Sequence, residues 1–526
     1  MVDLTIEPQH LCFLFFIFLI STLLCLCLSF HRKPRNQFKL PPSPPSLPII
    51  GHLHLIGSIL HQSLQSLSNK HGPLISLHLG ASHCLVASSS SIAKEIFKTH
   101  DLIFALRPKF AFEEQTSLYH GCSFLMAPYG PYWRFMKKLC MTKLLGEQQL
   151  KRFVCVKQEE IRRFLKRLLK SYQDGKPVDM GVELRVLTNN IICRMAMSTR
   201  SAESINEAEE CRELVHEISA VGAKMCLGEV LGPFGKLDWF GYQRKMKEAI
   251  KRFDDLMERI LQEHQRRPHK NKNNNDQDGE RENKDLMDIL LEISQDEKAE
   301  VKLTQTGIKS FFLETFSGGT DTSAKAMQWA LALLINHPGE FKKVRDEIEL
   351  MVGKTRLVEE SDIHKLPYLQ AIIKETLRLY PTFPVVSREC TQDCKIGGYD
   401  VLKKTRVLVN LYTIMRDPNS WEEPNEFRPQ RFFVNSKESI QNQMKNNKFI
   451  PFGGGRRSCP GSSHALTVMY ITIASMVQCF DWKIHGENGA TSIPANMEHG
   501  SELTLGMAHP LVCLPIPQLC PFIAFS

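Results

Sequence analysis

Three consecutive glycines, Gly453, Gly454 and Gly455, run into Arg456, Arg457, Ser458, Cys459, Pro460 and Gly461, a stretch that makes little sense as core. Glycine is costly unless the backbone must turn sharply or approach another group closely. The segment is therefore read as a tight loop. A cysteine held there can present its thiolate to a metal, with local amides turned toward the sulfur and a helix starting just behind it. Arg457 supplies a cation where a negatively charged cofactor edge could sit. On these residues alone a reactive thiol and a plain glycine-rich turn stay open, since such turns are common punctuation.

The chain around this loop has globular composition, with 526 residues, 43% apolar and 23% charged, which excludes a disordered tail. Its net charge of +9 comes from 66 Lys and Arg against 57 Asp and Glu, without a long basic block. Nucleic acid is not the expected partner. The 16 cysteines are scattered, with no spacing that builds a zinc site or a disulfide scaffold, so a reducing compartment is expected, with most thiols acting as packing groups.

Leu11 to Phe30 is an uninterrupted stretch without a charge, and at helical rise it spans about 30 Å, the thickness of a bilayer's hydrocarbon core. Asp3 and Glu7 precede it, where a cleaved signal peptide needs a basic flank. Arg32, Lys33, Arg35 and Lys39 follow, a flank retained on the cytoplasmic side. The expectation is an uncleaved anchor with the body facing the cytosol. Pro41, Pro42, Pro44, Pro45 and Pro48 then favour an extended spacer, closed by Gly51.

From Leu53 onward long amphipathic segments alternate with short strand-like runs, and helix dominates. Glu159 to Ser171 and Tyr242 to Gln265 show apolar residues at three-to-four spacing, as surface helices do. His264 to Lys284 is almost wholly polar and reads as an exposed, mobile connection. Leu74 to Leu79 and Val407 to Leu411 are the expected strands. No internal repeat is present, which argues against a solenoid.

Three further segments carry possible chemistry. Glu375 and Arg378 are three apart and share a helix face, a common pairing on its own. Gly318-Gly319-Thr320-Asp321-Thr322-Ser323 lies inside Ile308 to Leu334, which otherwise reads as one helix; each glycine there costs about 1 kcal/mol. Ser317 or Thr320 could simply cap a new helix. Trp133 and Lys137, four apart, share the face of another helix, which by itself fits any amphipathic helix.

Phe452, Gly455, Arg457, Cys459 and Gly461 stand at the spacing of the haem-binding signature of cytochrome P-450 enzymes, and the chain resembles that family along nearly its whole length. The resemblance implies a mainly α fold with small β-sheets: a single haem domain over 52–526, behind an anchor over 1–30 and a basic, proline-rich hinge over 31–51. Cys459 inherits the role of axial thiolate on iron, which favours cleavage of the O–O bond. Arg457, Lys137 and Arg388 should hold haem propionates beside Trp133, and Phe452 should shield the sulfur. Lysine at 137, where arginine is frequent, still offers a cation but not a bidentate one. Glu375, Arg378 and Arg431 should form a buried charge network; Gln430 departs from the usual glutamate beside it. Gly318 to Ser323 resembles the oxygen-binding groove, with Asp321 and Thr322 as the acid-alcohol pair that relays protons.

By the same resemblance the cofactor is haem b, and electrons reach it singly from NADPH through a membrane-bound flavoprotein, NADPH-cytochrome P-450 reductase. Arg134, Lys138 and Arg456 are candidates for the docking face. The details look most like plant microsomal members anchored in the endoplasmic reticulum. Residues 104–124, 313–317, 382–386 and Leu503 should face a lipophilic substrate. A pentacyclic triterpene such as friedelin or β-amyrin is the first expectation, with stepwise oxidation of a methyl to the acid. Flavonoid, isoflavonoid or other terpenoid oxidation is the alternative. A haem sensor or a non-oxidative haem-thiolate isomerase needs no proton relay, so Asp321 and Thr322 argue against both.

Overall fold

The computed structural model describes residues 15–22, 38–108, 119, 121–198, 205–228, 238, 240–266, 284–433, 444, 446–485 and 494–518. Among the described residues its helices of nine residues or more are α1 Leu60–His71, α2 Pro131–Leu139, α3 Val154–Gln173, α4 Met180–Met197, α5 Ile205–Gly228, α6 Tyr242–Arg266, α7 Leu286–Gln295, α8 Gln305–Gly319, α9 Asp321–Asn336, α10 Pro338–Met351, α11 Pro367–Leu379 and α12 Ser462–Cys479. The apolar periodicity dictates how they sit. α3 buries Ile161, Phe164, Leu165 and Leu168 on one stripe, together with two charged residues, Lys157 and Glu160. α12 is buried from Val468 to Cys479, with Thr472, Ser475 and Gln478 among its buried residues. Around α9, whose residues from Ala330 to Leu334 are buried, pack α4, α11 and α12.

Small sheets flank this bundle. β1 Leu74–Leu79, β2 Ser82–Ala87, β7 Arg406–Asn410 and β4 Val385–Glu389 form one sheet in the order β1-β2-β7-β4. β4 runs antiparallel to β7 with Arg388 opposite Val407. That register turns the Arg388 side chain into the protein, where it is buried. β3 Val178–Asp179, β9 Val512–Pro517 and β8 Phe480–Ile484 make a second sheet, and β5 Cys394–Ile396 pairs with β6 Tyr399–Val401. The expected mainly α architecture with small sheets is what the chain adopts.

Three expectations are corrected. The segment from Ile308 to Leu334 is two helices, broken at Thr320, whose side chain makes no capping bond. The polar connection does not begin at His264: α6 runs to Arg266, and His264 is buried with Nε2 2.9 Å from Oδ2 of Asp285, which caps α7. The rest of that connection, 267–283, lies outside the described residues. The proline-rich segment is docked rather than standing off, since the Pro42 carbonyl accepts the Ser76 amide at 2.8 Å and the Lys39 carbonyl accepts that of Asp400 at 2.8 Å.

Of the stretch from Leu11 to Phe30 the described part, 15–22, is helical, and Phe15, Phe16 and Phe18 are exposed on it. No helix among the described residues is long and apolar enough to cross a membrane.

Candidate active site

The glycines at 453–455 answer to two demands. Gly453 and Gly455 have φ of 72° and 67°, the left-handed region that favours glycine. A Cβ at Gly454 would lie 2.6 Å from the Phe97 ring, and one at Gly455 would collide with the Asp101 carboxylate. Asp101 in turn accepts the Arg456 amide at 2.9 Å and pairs with its guanidinium at 3.2 Å. Closing the turn, the Phe452 carbonyl accepts the Cys459 amide at 3.0 Å and the Gly455 carbonyl accepts that of Ser458 at 3.1 Å. α12 starts three residues after the cysteine, at Ser462.

Cys459 presents open surface, yet burial raises its thiol pKa, opposed by a hydrogen bond from the Gly461 amide and by Lys137 and Arg107. The sulfur is thus uncovered although protein surrounds it closely enough to desolvate it. Gly318 of α8 is also uncovered, and a Cβ there would meet nothing within 4 Å. Its neighbour Gly319 is required for the opposite reason, because a Cβ would collide with Ile192 of α4.

A wall of cations adjoins the thiol. Lys137 of α2 donates from Nζ to the Ser458 carbonyl at 2.8 Å. Arg457 donates to the carbonyls of Ala105 at 2.6 Å, Leu125 at 3.3 Å and Ala127, and its guanidinium lies over the Trp133 indole at 4.7 Å. Arg388 donates to the Ser387 carbonyl at 2.8 Å and lies 5.4 Å from the Phe97 ring centre. Burial, then Arg107 and Arg457, push the Arg388 pKa down to about 9 despite Asp101. Burial and Arg107 push Arg457 down to about 10. Lys137 is lowered too, first by burial.

This crowding of positive charge is what a dianionic edge relieves. An uncovered thiol beside a wall of buried cations fits a haem with its two propionates. Trp133, buried between Phe124 and Tyr129 at ring distances of 6.1 and 5.3 Å, packs the wall from behind.

At the helix break, the Thr322 hydroxyl donates to the Gly318 carbonyl at 2.5 Å. The Thr320 carbonyl accepts from the Thr188 hydroxyl of α4 at 2.9 Å, which ties the break to the neighbouring helix. Asp321 points elsewhere: Oδ1 pairs with Arg185 at 2.9 Å, and Oδ2 is 3.9 Å from Nδ1 of His216. Burial opposes ionisation, yet His216 and Arg185 hold its pKa below the ordinary carboxylate value. Asp321 and Thr322 are thus adjacent in sequence but engaged with different partners.

The charge network forms as expected. Arg378 grips Glu375 through two bonds of 2.7 and 2.9 Å, and Arg431 adds a third at 3.1 Å, with Glu375 and Arg378 wholly buried. Arg378 also donates to the carbonyls of Met415 at 2.9 Å and Pro424 at 2.7 Å. Gln430 donates to Glu340 at 3.2 Å and to the Tyr368 hydroxyl at 3.2 Å. A glutamate here would face Glu340 with like charge, which accounts for the departure.

Two charged residues inside the stretches expected to face substrate, like Asp101 at the loop, take roles the sequence did not single out. Glu314, one helical turn before Gly318, accepts the Ser123 hydroxyl at 2.5 Å and the Leu125 amide at 3.0 Å, and burial pushes its pKa up to about 7. It ties α8 to the loop whose carbonyls hold Arg457. Arg107 belongs to the cationic wall, but nothing in its sequence context marks it. Among the docking candidates Arg134 and Lys138 are exposed, whereas Arg456 is engaged by Asp101 and by Tyr129, whose hydroxyl it reaches at 3.1 Å. Of the expected substrate-facing stretch 104–124, residues 109–118 and 120 lie outside the described residues.

A family model described as cytochrome P-450 matches residues 41–505. Over 508 residues the chain is 44% identical to cytochrome P-450 93A3 of Glycine max, covering 96% of this chain and 98% of that one. It is 43% identical to 3,9-dihydroxypterocarpan 6A-monooxygenase of Glycine max, with 96% and 98% covered. It is 42% identical to beta-amyrin 24-hydroxylase of the same plant, with 97% and 98% covered. A zebra fish cytochrome P-450 solved with progesterone superposes with a TM-score of 0.72 at 25% identity, over 87% of this chain and 99% of that one. The chain therefore belongs to the cytochrome P-450 family, as a haem b monooxygenase of plant secondary metabolism that takes electrons from NADPH through a reductase and acts on a lipophilic substrate.

Proposed function

We propose that this enzyme oxidises a methyl group of a pentacyclic triterpene such as β-amyrin or friedelin, in successive steps through alcohol and aldehyde to the acid. The observation that carries the reading is the 42% identity, over 516 residues, to beta-amyrin 24-hydroxylase. The apolar groups at the expected substrate positions support it: Leu313 and Val386 are half-buried and Phe383 and Leu503 are exposed, as suits a bulky hydrocarbon. The pterocarpan relative, at 43% identity, favours oxidation of an isoflavonoid-type ring system as the second reading.

In this reading Cys459 would hold the haem iron through its sulfur, and Arg457, Arg388 and Lys137 would hold the propionates while Trp133 packs behind them. Phe452 shields the sulfur, and Gly455 and Gly461 let the loop close around it. When bound, haem supplies the reductive cleavage of dioxygen, one atom of which enters the substrate. Thr322 holds a proton at the groove through its hydroxyl, anchored on the Gly318 carbonyl. Asp321, kept as a carboxylate by Arg185, exchanges protons with water on the outer side of α9. Gly318, where an added Cβ would meet nothing within 4 Å, would leave room for a small molecule at the groove.

The basic flank from Arg32 to Lys39 and the exposed apolar side chains of 15–22 support a single-pass anchor over 1–30 in the endoplasmic reticulum membrane. A basic, proline-rich linker over 31–51 follows, docked on the body at Lys39 and Pro42, and the haem domain over 52–526 faces the cytosol. Deleting residues 1–30 should release much of the protein from membrane lipid without loss of haem. The substrate reading is tested by incubating the membrane-bound enzyme with reductase, NADPH and β-amyrin, friedelin or 3,9-dihydroxypterocarpan. Mass spectrometry should show a hydroxylated triterpene, then its aldehyde and acid. Product from the pterocarpan alone would overturn the triterpene assignment in favour of the second reading.

A further inference from the structure

The turn from Thr391 to Asp393 leaves β4 and enters β5, and it carries a cysteine at each end. The sulfurs of Cys390 and Cys394 are 3.8 Å apart, and Cys390 also donates to the Gln392 carbonyl at 2.8 Å. Backbone bonds hold both ends in place. Cys390 exchanges bonds with the strand that returns beside it, its amide donating to the Thr405 carbonyl at 3.0 Å and its carbonyl accepting the Lys404 amide at 2.7 Å. Cys394 pairs with Val401 across the β5–β6 ladder. The Thr391 amide reaches the Ile103 carbonyl at 3.0 Å, which fixes the turn against the body. The contact therefore belongs to the folded backbone and not to two wandering side chains.

Nothing else in the described thiols has this combination. Cys193 and Cys211 are hydrogen-bonded to each other, but both are wholly buried between helices. Cys155 is exposed, and Cys459 is committed to the site described above. At the turn, Cys390 is buried and Cys394 is half-buried, so a small reagent reaches one sulfur with the second directly behind it. Two sulfurs in van der Waals contact need to close by only about 1.8 Å to reach the bonded distance, a movement that side-chain rotation supplies.

We propose that Cys390 and Cys394 form a dithiol that peroxide converts into an intramolecular disulfide, a modification site separate from the oxygen-cleaving centre. The thiolate of one member of the pair attacks one oxygen of hydrogen peroxide, the O–O bond breaks, and water leaves behind a sulfenic acid. The other sulfur then attacks that of the sulfenic acid, the S–O bond breaks, and a second water leaves. Two thiols lose two electrons and two protons, and one peroxide becomes two waters. Hydrogen peroxide is the two-electron oxidant that oxygen reduction yields whenever it fails to reach substrate in an enzyme of this class. Cellular dithiols reverse the bond by exchange.

The test uses the full-length, haem-loaded enzyme. It is treated with hydrogen peroxide, alkylated with iodoacetamide, denatured and digested with trypsin. Cleavage after Arg388 and Lys395 releases both cysteines in one peptide, 389–395. That peptide should lose two hydrogens and take up no alkylating group, and dithiothreitol should restore two alkylation sites. In the Cys390→Ser variant, dimedone should instead capture a sulfenic acid on Cys394. Alkylation of both sulfurs after a dose that already oxidises Cys155, or a disulfide joining either sulfur to another cysteine, would overturn the proposal.

Discussion

Lys137 of α2 and Ser458 of the glycine-rich loop are joined by a 2.8 Å hydrogen bond from ammonium to carbonyl, one peptide before Cys459. The helix that carries the cationic wall and the loop that presents the sulfur are thereby fixed to each other. An amine at this position both holds the loop and faces the other cations, which is why its pKa falls with burial.

Replacing Lys137 by Met should therefore loosen haem without abolishing its binding. A hydrogen bond of this kind contributes on the order of 1 kcal/mol net, so haem transfer to apomyoglobin should speed up roughly fivefold. Lys137→Arg, which keeps the cation, should stay close to the parent. An unchanged transfer rate in Lys137→Met would deny the lysine this role.

Thr322→Ala should leave haem in place but separate NADPH oxidation from product formation, because the hydroxyl on the Gly318 carbonyl is lost. Thr322→Ser should restore coupling. The ratio of NADPH consumed to product formed is the readout, and equal ratios in all three proteins would remove Thr322 from proton delivery.

Glu314 gives the enzyme a pH-dependent stability of predictable sign. Its pKa rises from 4.5 to about 7 on folding, through burial that outweighs Ser123, Leu125 and Arg107. Between those values the folded chain keeps a proton that the unfolded chain releases, so stability falls as pH rises through that window and levels off above it. Glu314→Gln should flatten the fall. Urea midpoints at pH 5 and pH 8 decide it: the parent should lose more than the variant, and parallel losses would contradict the assignment.

Glu375→Ala strands two buried arginines at once, Arg378 with no exposed surface and Arg431 nearly so. Removing one partner of a buried pair costs about 3–5 kcal/mol, enough to prevent haem loading at ordinary temperature. Gln430→Glu, placed against Glu340 at the surface, should cost less than about 1 kcal/mol. Denaturation of the two variants side by side tests both magnitudes.

What the sequence revealed follows a physical divide. The loop at 452–461 and the glycines at 318 and 319 were legible because each violates a local preference in a way only tertiary structure repays, whereas Glu375 and Arg378, an ordinary helical pair, gained meaning only from the family resemblance. β1 was legible from its run of apolar residues, which the sheet reproduces from Leu74 to Leu79. The break at Thr320 was half legible, since glycine density marked the place but not the division into two helices. Arg107, Glu314 and Asp101 were not, because an isolated charge acquires its meaning only from groups far away in the chain. The same holds for the Asp321 pairing with Arg185, separated by more than a hundred residues, and for the docked proline-rich segment.

The account rests on the sulfur of Cys459 meeting iron, and the absorption spectrum of the reduced, carbon-monoxide-bound enzyme tests that most directly. The parent should show a red-shifted Soret band, and Cys459→Ser should lose it while the polypeptide remains folded by circular dichroism. Identical spectra in parent and variant would take Cys459 off the iron and contradict the account at its centre.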